Sequence, residues 1–483
     1  MTIASNIGKA HLHPDRLFSA DTNIRAVARE IYNSIQGLPI ISPHGHTDPR
    51  WYAENKRFDN PAAFLVIPDH YVFRMLYSQG IELEELGIPS VDGTPVEQDP
   101  RKIWRLFAKN FHLYRGTPTK LWMTHSLSEV LGVDEPLCEA SADRIYDHIE
   151  ACLASDAFLP RTLFEKFNIE ALATTEFAVD TLEHHKTINS SGWRGRVITT
   201  FRPDDITNPQ HPLFQTNIKI LGEQTGEETS RWTGYLEAIR KRRAFFKEMG
   251  ATATDHGFPT AFTTILTETQ CQNLLTKAIA GVCTPEEAEL FRGHMLVENA
   301  RMSCDDGLVM QIHVGCYRNH NPLIYKHFGQ DKGCDIPTRI DFVNGFRPLL
   351  NEVGNNPNMT IIAFSLDESS YSREIAPLAG HYPALKIGPA WWFHDSPEGM
   401  KRYRRQITET AGFYNTVGFN DDTRAFLSIP ARHDVARRVD SNFLAHYVCE
   451  HLLTLEEALD IAHDLTYTLP RKAYKLDTQV KTP

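Results

Sequence analysis

Residues Leu38–Asp48 read LPIISPHGHTD, an apolar run followed by two histidines that are one residue apart. The run is long enough for one buried β-strand. Side chains alternate along an extended backbone, so His44 and His46 point the same way and Gly45 leaves room between them. Two imidazoles that converge at a strand end can bind one divalent metal ion. An ordinary pair of surface or core histidines is the alternative interpretation, because the pattern also recurs by chance.

The composition is that of an ordinary globular enzyme. Of the 483 residues, 41% are hydrophobic and 23% are charged. The length suffices for one large barrel or for two to three domains. The formal net charge of −11 argues against nucleic acid as the main partner, because phosphate binding requires a basic surface. No apolar run approaches the ~20 residues of a membrane helix. We therefore expect a protein that binds neither nucleic acid nor a membrane.

The cysteines and the N-terminal residues predict a cytoplasmic location. The 8 cysteines are scattered singly, without a C-x-x-C pair, so neither a zinc knuckle nor a disulfide framework is indicated. Met1–Asn6 lacks the basic region and following apolar core of a signal peptide.

Short strand candidates alternate with helical segments along the chain. Counted from the opening run, the further candidates are residues 169–175, 196–201, 251–254, 307–312, 359–364, 384–388 and 416–419. This alternation implies parallel pairing, and eight such units predict a closed (β/α)₈ barrel. An open, doubly wound sheet is the alternative, although no glycine-rich phosphate loop follows the first strand.

The stretch between the first two strand candidates is too long for a loop, and its second half has apolar residues at helical spacing. We therefore predict an N-terminal helical arm at residues 1–37, a barrel domain at residues 38–483, and a helical subdomain inserted at about residues 50–165.

Reactive side chains occur at the carboxyl ends of the predicted strands. They are His44, His46, Thr175, Glu176, Arg202, Asp255, His256, His313, Trp391 and Asp422. In a barrel these ends meet on one face, where active sites are built. Each residue alone could be a structural one with its polar atoms satisfied by backbone. Their coincidence favours a site, with two histidine nitrogens and the Asp422 carboxylate as metal ligands.

Two arginines and a histidine–tyrosine pair extend this candidate site. Arg202 and Arg424 can hold a substrate carboxylate, since a planar guanidinium binds carboxylates through two hydrogen bonds. A salt bridge from Arg202 to Asp204 is the alternative interpretation. His70 and Tyr71 lie in a non-periodic stretch and can transfer protons.

A set of segments, in order along the chain, carries a family resemblance. They are His44–His46, Asp69–Tyr71, Arg202–Asp204, Gln311–Gly315, Arg318–Asn321, Trp391–Phe393 and Asp422–Ser428. Together they resemble the uronate isomerases (glucuronate isomerases) of the amidohydrolase superfamily. The histidine pair marks only the superfamily, whereas the Arg-Pro-Asp, Trp-Trp-Phe and Asp-x-Arg-x-Phe-Leu-Ser segments are far more specific.

The resemblance implies a (β/α)₈ TIM-type barrel of the metal-dependent hydrolase kind, with a helical insertion after the first strand. It implies reversible isomerisation of D-glucuronate to D-fructuronate and of D-galacturonate to D-tagaturonate, by proton transfer between C2 and C1. It also implies a homo-oligomer that binds a divalent metal ion, zinc, through His44, His46 and Asp422. The hexuronate would contact His70, Tyr71, Arg202, His313, Trp391 and Arg424.

An aldose–ketose isomerase must open the sugar ring, remove the C2 proton and deliver a proton to C1 through an enediol. We assign ring opening to Asp422, the C2 proton to Tyr71 with His70, and the substrate carboxylate to the arginines. Whether His313 binds the metal or the substrate stays open, as does the membership of Asp255 and His256 in the site.

Two other functions compete with this one. The main alternative is a metal-dependent amidohydrolase or lactonase of the same superfamily that acts on a carboxylate-bearing substrate. It needs a metal-bound water and a base, but not paired arginines. A non-catalytic sugar-acid-binding protein is a third possibility, and it leaves the convergent histidines unexplained. Gly45, Phe201 and Glu176–Phe177 depart from the usual family pattern, so the preference between the two uronates stays open.

Overall fold

Seven parallel strands form the central sheet of the computed structural model, which describes residues 12–479. They are β1 (Ile40–Ser42), β2 (Ile169–Phe177), β3 (Val197–Arg202), β4 (Ala253–His256), β5 (Val309–Val314), β6 (Ile361–Ser365) and β7 (Leu385–Ile387). Each strand pairs in parallel with the next one along the chain. Strands β1, β5 and β6 are buried throughout, as expected for a parallel sheet that is covered on both faces.

The eighth predicted strand, residues 416–419, is not regular. Within the described residues it contributes one parallel bridge, from Thr416 to Ile387 at the edge of β7. Gly418 then takes a φ of +76°, which interrupts the extended backbone. Further on, the Thr423 carbonyl accepts a hydrogen bond of 3.0 Å from the backbone N–H of His46. The sheet therefore curls until its last unit meets its first, and the predicted barrel class is confirmed with seven regular strands instead of eight.

Helices fill the chain before β2 and alternate with the strands after it. Those before β2 are Thr22–Ile35, Pro49–Glu54, Pro61–Leu65, His70–Tyr77, Pro100–Asn110, Pro118–His125, Ala142–Leu153 and Pro160–Lys166. Those after β2 are Glu183–Ser190, Asp204–Thr207, Phe214–Thr225, Trp232–Glu248, Glu268–Ala280, Pro285–Asp306, Pro322–Phe328, Phe342–Gly345, Arg347–Val353, Ala376–Ala379, Pro397–Ala411, Ile429–Cys449, Leu455–His463 and Leu469–Ala473. In the described range, none of them combines the length and hydropathy needed to cross a lipid bilayer.

The helical segment between β1 and β2 packs into an apolar core that it shares with the first strands of the barrel. The Pro100–Asn110 helix buries Trp104 and Phe107, and the Trp104 indole N–H donates to the Ala142 carbonyl at 2.9 Å. The Tyr114 hydroxyl donates to the Val72 carbonyl at 2.7 Å. This bond ties the core to the His70–Tyr77 helix, whose first turn faces the end of the barrel.

The helix that precedes β1 packs against the other end of the chain. Asp21 caps Thr22–Ile35 by accepting from the backbone N–H groups of Asn23 and Ile24. The buried face of this helix joins Leu444 and Ile461 in one apolar cluster. Residues 1–11 of the predicted arm, including the Met1–Asn6 segment, lie outside the described residues, and the predicted domain boundaries stay a prediction.

Candidate active site

His44, His46 and Asp422 converge at the carboxyl end of the barrel. The Nε2 atoms of His44 and His46 lie 3.3 and 3.1 Å from Asp422 Oδ1, and the three donor atoms are all within 4.8 Å of one another. Asp422 Oδ1 is buried and has no hydrogen-bond partner among the described residues. An orphaned carboxylate oxygen beside two imidazole nitrogens fits a divalent metal ion with open positions.

Trp391 and the local backbone orient the Asp422 carboxylate. The Trp391 indole N–H donates to Asp422 Oδ2 at 2.6 Å, which leaves Oδ1 towards the histidines. Asp422 itself has a φ of +40°, a left-handed conformation that aspartate tolerates better than most residues. Against the opposing effect of burial, His44 and His46 hold the pKa of Asp422 well below its usual value. The carboxylate is thus ionised, as a metal ligand must be.

Asp255 orients a third histidine in the same cavity. His313 Nδ1 donates to Asp255 Oδ1 at 2.6 Å, and the His313 ring stacks on His44 with centroids 4.7 Å apart. His313 Nε2 is buried without a hydrogen-bond partner in residues 12–479. Since Nδ1 carries the proton, Nε2 is an acceptor for a substrate hydroxyl or a metal ligand. Asp255 therefore belongs to the site, whereas His256 bonds Thr254 at 3.0 Å behind it.

Arg202 forms the salt bridge that was the alternative interpretation and also lines the cavity. Its Nε donates to Asp204 Oδ2 at 2.8 Å, and its Nη1 lies 3.3 Å from Asp255 Oδ2. Asp204 is held in turn by the backbone N–H of Gly257, 3.1 Å from both carboxylate oxygens. Although burial opposes it, Asp204 followed by Asp255 raises the pKa of Arg202, so the guanidinium stays charged.

His70 and Tyr71 begin a helix that Asp69 caps. Asp69 Oδ1 accepts from the Tyr71 backbone N–H at 2.8 Å, which fixes the first turn. Burial, and then the charge of Arg424, lowers the pKa of His70 to about 3. Burial raises the pKa of Tyr71 well above its ordinary value. Near neutral pH the site therefore holds an uncharged imidazole beside a protonated phenol.

A hairpin-like segment covers the cavity opposite the barrel. Cys316–Tyr317 pairs antiparallel with Ile336–Pro337, and Asp331 in the intervening loop accepts from Arg424 Nη2 at 2.9 Å. Together with the barrel residues this segment encloses a cavity of ≈ 580 Å³, large enough for a monosaccharide. The cavity brings together every predicted site residue: His44, His46, His70, Tyr71, Arg202, His313, Trp391, Asp422 and Arg424.

The comparisons with known proteins identify the family. Residues 17–474 match the family model described as glucuronate isomerase. The chain belongs to the glucuronate isomerase family. Uronate isomerases from Phenylobacterium zucineum and Xanthomonas axonopodis pv. citri are 57% and 58% identical to it, over 98% and 96% of this chain and 98% of each relative. The predicted family and enzyme class are thereby confirmed.

Solved structures of uronate isomerases share the whole fold. The crystal structure of glucuronate isomerase from Caulobacter crescentus has a TM-score of 0.96 and 54% identity, covering 98% of this chain and 99% of that one. Uronate isomerase from Thermotoga maritima has a TM-score of 0.89 and 28% identity, covering 96% and 99%. These relatives favour the isomerase over the hydrolase alternative.

Some residues of this isomerase's cavity were not among the predicted site residues. Arg318 lies over the Trp392 ring at 5.0 Å and bonds Asp335 at 3.0 Å, and Asp331 pairs with Arg424. The Arg-Asn-His-Asn segment that begins at Arg318 was a signal for the first of these. Asp331 lies in a loop that has no pattern, so nothing in the sequence marks it.

Glu176, which follows Thr175 on β2, points away from the cavity of the isomerase. Its carboxyl accepts a hydrogen bond from Thr199 and lies 3.8 Å from His185 Nε2. Burial raises the pKa of Glu176 to about 8. Thr175 instead donates to the Gly45 carbonyl at 3.0 Å, beside the metal histidines. Of these two predicted strand-end residues, only Thr175 supports the site.

The buried Glu176 predicts a pH dependence of stability. A carboxyl whose pKa is raised on folding binds its proton more tightly in the folded state, so its stability contribution is complete at pH 4.5 and is lost as pH rises through about 8. Between pH 7 and 9, urea unfolding should show the wild type losing about 1.4 kcal/mol of unfolding free energy that Glu176→Gln retains. Glu170→Gln, on the same strand but ion-paired with Arg471, is the control and should keep the wild-type slope. Equal slopes for all three proteins would contradict the prediction.

Gly257 predicts a defect in substrate binding. A Cβ at this position would lie 2.4 Å from Arg202 Nη2 and 2.9 Å from Asp204 Oδ2, so Gly257→Ala must displace the guanidinium. We expect steady-state kinetics to show KM raised about tenfold, or more, with a small change in kcat. Gly37→Ala is the control, because a Cβ there meets nothing within 4 Å. An unchanged KM would show that Arg202 does not bind the substrate.

Proposed function

We propose that this isomerase converts D-glucuronate reversibly to D-fructuronate, and D-galacturonate to D-tagaturonate. The observation that carries the proposal is the content of one cavity: a metal-binding triad, two arginines and two uncharged proton carriers. A hexuronate needs all three, because it presents a carboxylate, ring oxygens and an acidic C2–H. A hydrolase would need only the first. Membership in the glucuronate isomerase family supports the same substrates.

Carboxylate binding is the proposed task of Arg202 and Arg424. The Arg202 side chain is 22% exposed and faces the cavity, with its charge maintained by Asp204 and Asp255. Arg424 is 44% exposed and is held by Asp331. Planar guanidinium groups can grip a carboxylate through paired hydrogen bonds, which fixes the orientation of the sugar chain.

We propose that His44, His46 and Asp422 hold zinc, which suits a site of two imidazoles and one carboxylate. When bound, the metal ion supplies Lewis-acid polarisation of a substrate oxygen. Asp422 accepts the proton of the anomeric hydroxyl as the C1–O5 bond breaks and returns it to the ring oxygen O5. His313 Nε2, buried without a partner in the described chain, accepts a hydrogen bond from a substrate hydroxyl and orients the open chain.

Proton transfer between C2 and C1 is assigned to Tyr71 with His70. Uncharged His70 accepts the C2 proton, and the Tyr71 phenol donates a proton to C1. The proton on His70 then passes to the Tyr71 phenolate, so that both groups return to their starting states. The two rings lie side by side with centroids 4.7 Å apart. The enediolate oxygens that develop between the two transfers need a nearby positive charge.

We also propose a cytoplasmic homo-oligomer. All eight cysteines lie within the described residues and are free thiols, which suits a reducing compartment. The homo-oligomer rests on the family resemblance.

Incubation of the metal-loaded protein with each uronate in D₂O tests the reaction. We expect NMR to show the 2-ketose from both sugars, and deuterium at C1 of the product if the transferred proton exchanges with solvent. The faster sugar identifies the preferred substrate. A fully metallated protein that converts neither sugar but hydrolyses lactones or N-acyl substrates would contradict the proposal and support the hydrolase.

The Tyr71→Phe variant tests the proton carrier. Removal of a general acid should lower kcat by about 100-fold or more, with KM nearly unchanged, because the hydroxyl acts in the transition state. Tyr114→Phe is the matched control: this buried tyrosine bonds the backbone of the same helix, so its loss should lower Tm but not kcat. Wild-type turnover in Tyr71→Phe would reject the assignment.

A further inference from the structure

A buried arginine joins the helical insertion to the end of the barrel. Arg432 lies in the Ile429–Cys449 helix, and its side chain is 1% exposed. Its guanidinium contacts Tyr71 on one side and the peptide that leads into Asp422 on the other. We propose that Arg432 is a positioning residue that fixes the position of Tyr71 relative to Asp422. The inference rests on the roles proposed above for these two residues.

On the insertion side, Arg432 sits in a corner formed by two aromatic rings. Its Cζ lies 3.6 Å from the ring centroid of Trp122 and 5.2 Å from that of Tyr71. The two rings stand edge-on at 87°, with centroids 5.5 Å apart. A desolvated guanidinium attracts both ring faces. Because Tyr71 and Trp122 belong to different helices, the one guanidinium fixes the position of the His70–Tyr77 helix relative to the Pro118–His125 helix.

On the barrel side, the same guanidinium holds the backbone beside the metal ligand. Nη1 donates to the Asp421 carbonyl at 3.3 Å, and Nε donates to Ser428 Oγ at 3.2 Å. The Asp421 carbonyl belongs to the peptide bond that precedes Asp422, whose φ is +40°. The next residue, His433, bonds the Asp421 side chain at 3.0 Å. Two consecutive residues of one helix therefore hold Asp421, one through its carbonyl and the other through its side chain, and this fixes the backbone that leads into Asp422.

Asp395 keeps the charge of Arg432 in this buried place. Its carboxylate accepts from Arg432 Nη1, and its side chain is 5% exposed. Although burial opposes it, Asp395 raises the pKa of Arg432 above its ordinary value. A buried guanidinium without this partner would pay a large desolvation penalty. Asp395 follows Trp391, so the pair also fixes the segment whose indole bonds Asp422.

Only arginine makes this set of contacts at once. The guanidinium donates to three acceptors and lies over two aromatic rings. A lysine ammonium is a point charge on a flexible stem, without a face to stack. Arg432→Lys therefore keeps the charge but no longer fixes the position of Tyr71 relative to Asp422.

A second buried arginine offers a matched control. Arg404 lies in the Pro397–Ala411 helix and donates through Nε and Nη2 to Asp440, at 2.7 and 2.8 Å. Its side chain is 5% exposed, and Asp440 lies on the same helix as Arg432. Arg404 is not among the residues that line the cavity. Arg404→Lys therefore also breaks a buried arginine–aspartate pair, without touching the site.

Comparison of R432K with R404K tests the proposal through kcat, KM, Tm and the zinc retained after dialysis against a chelator. We expect the Tm of both variants to fall by a similar amount. Only R432K should show kcat lowered by about 100-fold at nearly unchanged KM, since small misplacements of reacting groups cost about this much. R432K should also retain less zinc than R404K, because the Asp422 peptide is no longer held.

Wild-type kcat and zinc retention in R432K would overturn the proposal, as would equal losses of kcat in both variants. If R432K does not fold, Trp122→Leu replaces it by removing the ring platform, and a wild-type kcat there likewise overturns the proposal. Zinc retention separates this inference from the one on which it rests. Tyr71→Phe with normal turnover would reject the role of Tyr71, while low zinc in R432K would still support the positioning of Asp422.

Discussion

The structure of the site depends on the meeting of Asp422, from the last unit of the barrel, with His44 and His46, from the first. This contact can form only if the parallel sheet curls completely, so that the two ends of the strand sequence become neighbours. The backbone bond from His46 to Thr423 and the indole bond from Trp391 hold it in place. The three residues of the triad can therefore meet only when the sheet closes, and closure of the sheet brings them together.

Around this triad, buried charged side chains form pairs, and these pairs leave His313 Nε2 free to bond a substrate. Asp255 takes the Nδ1 proton of His313 and faces one edge of Arg202, while Asp204 holds the other edge. A buried guanidinium or carboxylate without a partner would be strongly destabilising. The pairing instead leaves His313 Nε2 in the cavity without a partner among residues 12–479. The electrostatics that stabilise the fold therefore also prepare the site for a polar, anionic sugar.

The sequence predicted the parts of this arrangement that depend on local pattern. His44 and His46 share a face because of the period of an extended strand, and Arg202, Asp255 and His313 lie at the ends of apolar runs. The eighth strand was predicted too long, because Gly418 interrupts it. Glu176 lies near the end of β2, but its carboxyl accepts from Thr199 on the neighbouring strand and points away from the cavity. A single strand's sequence does not show which neighbour its side chains will bond. Asp331 and Arg432 act through long-range contacts, and no local pattern records such contacts.

Zinc content of the wild type and of Asp422→Asn tests the central claim most directly. Both proteins would be loaded with zinc, freed of excess metal and measured by plasma mass spectrometry, with Asp205→Asn as control because this buried carboxyl bonds Asn217 instead. The account predicts about one zinc per chain in the wild type and the control, and far less in Asp422→Asn, which has lost the ligand from the last unit. Full zinc occupancy in Asp422→Asn would contradict it.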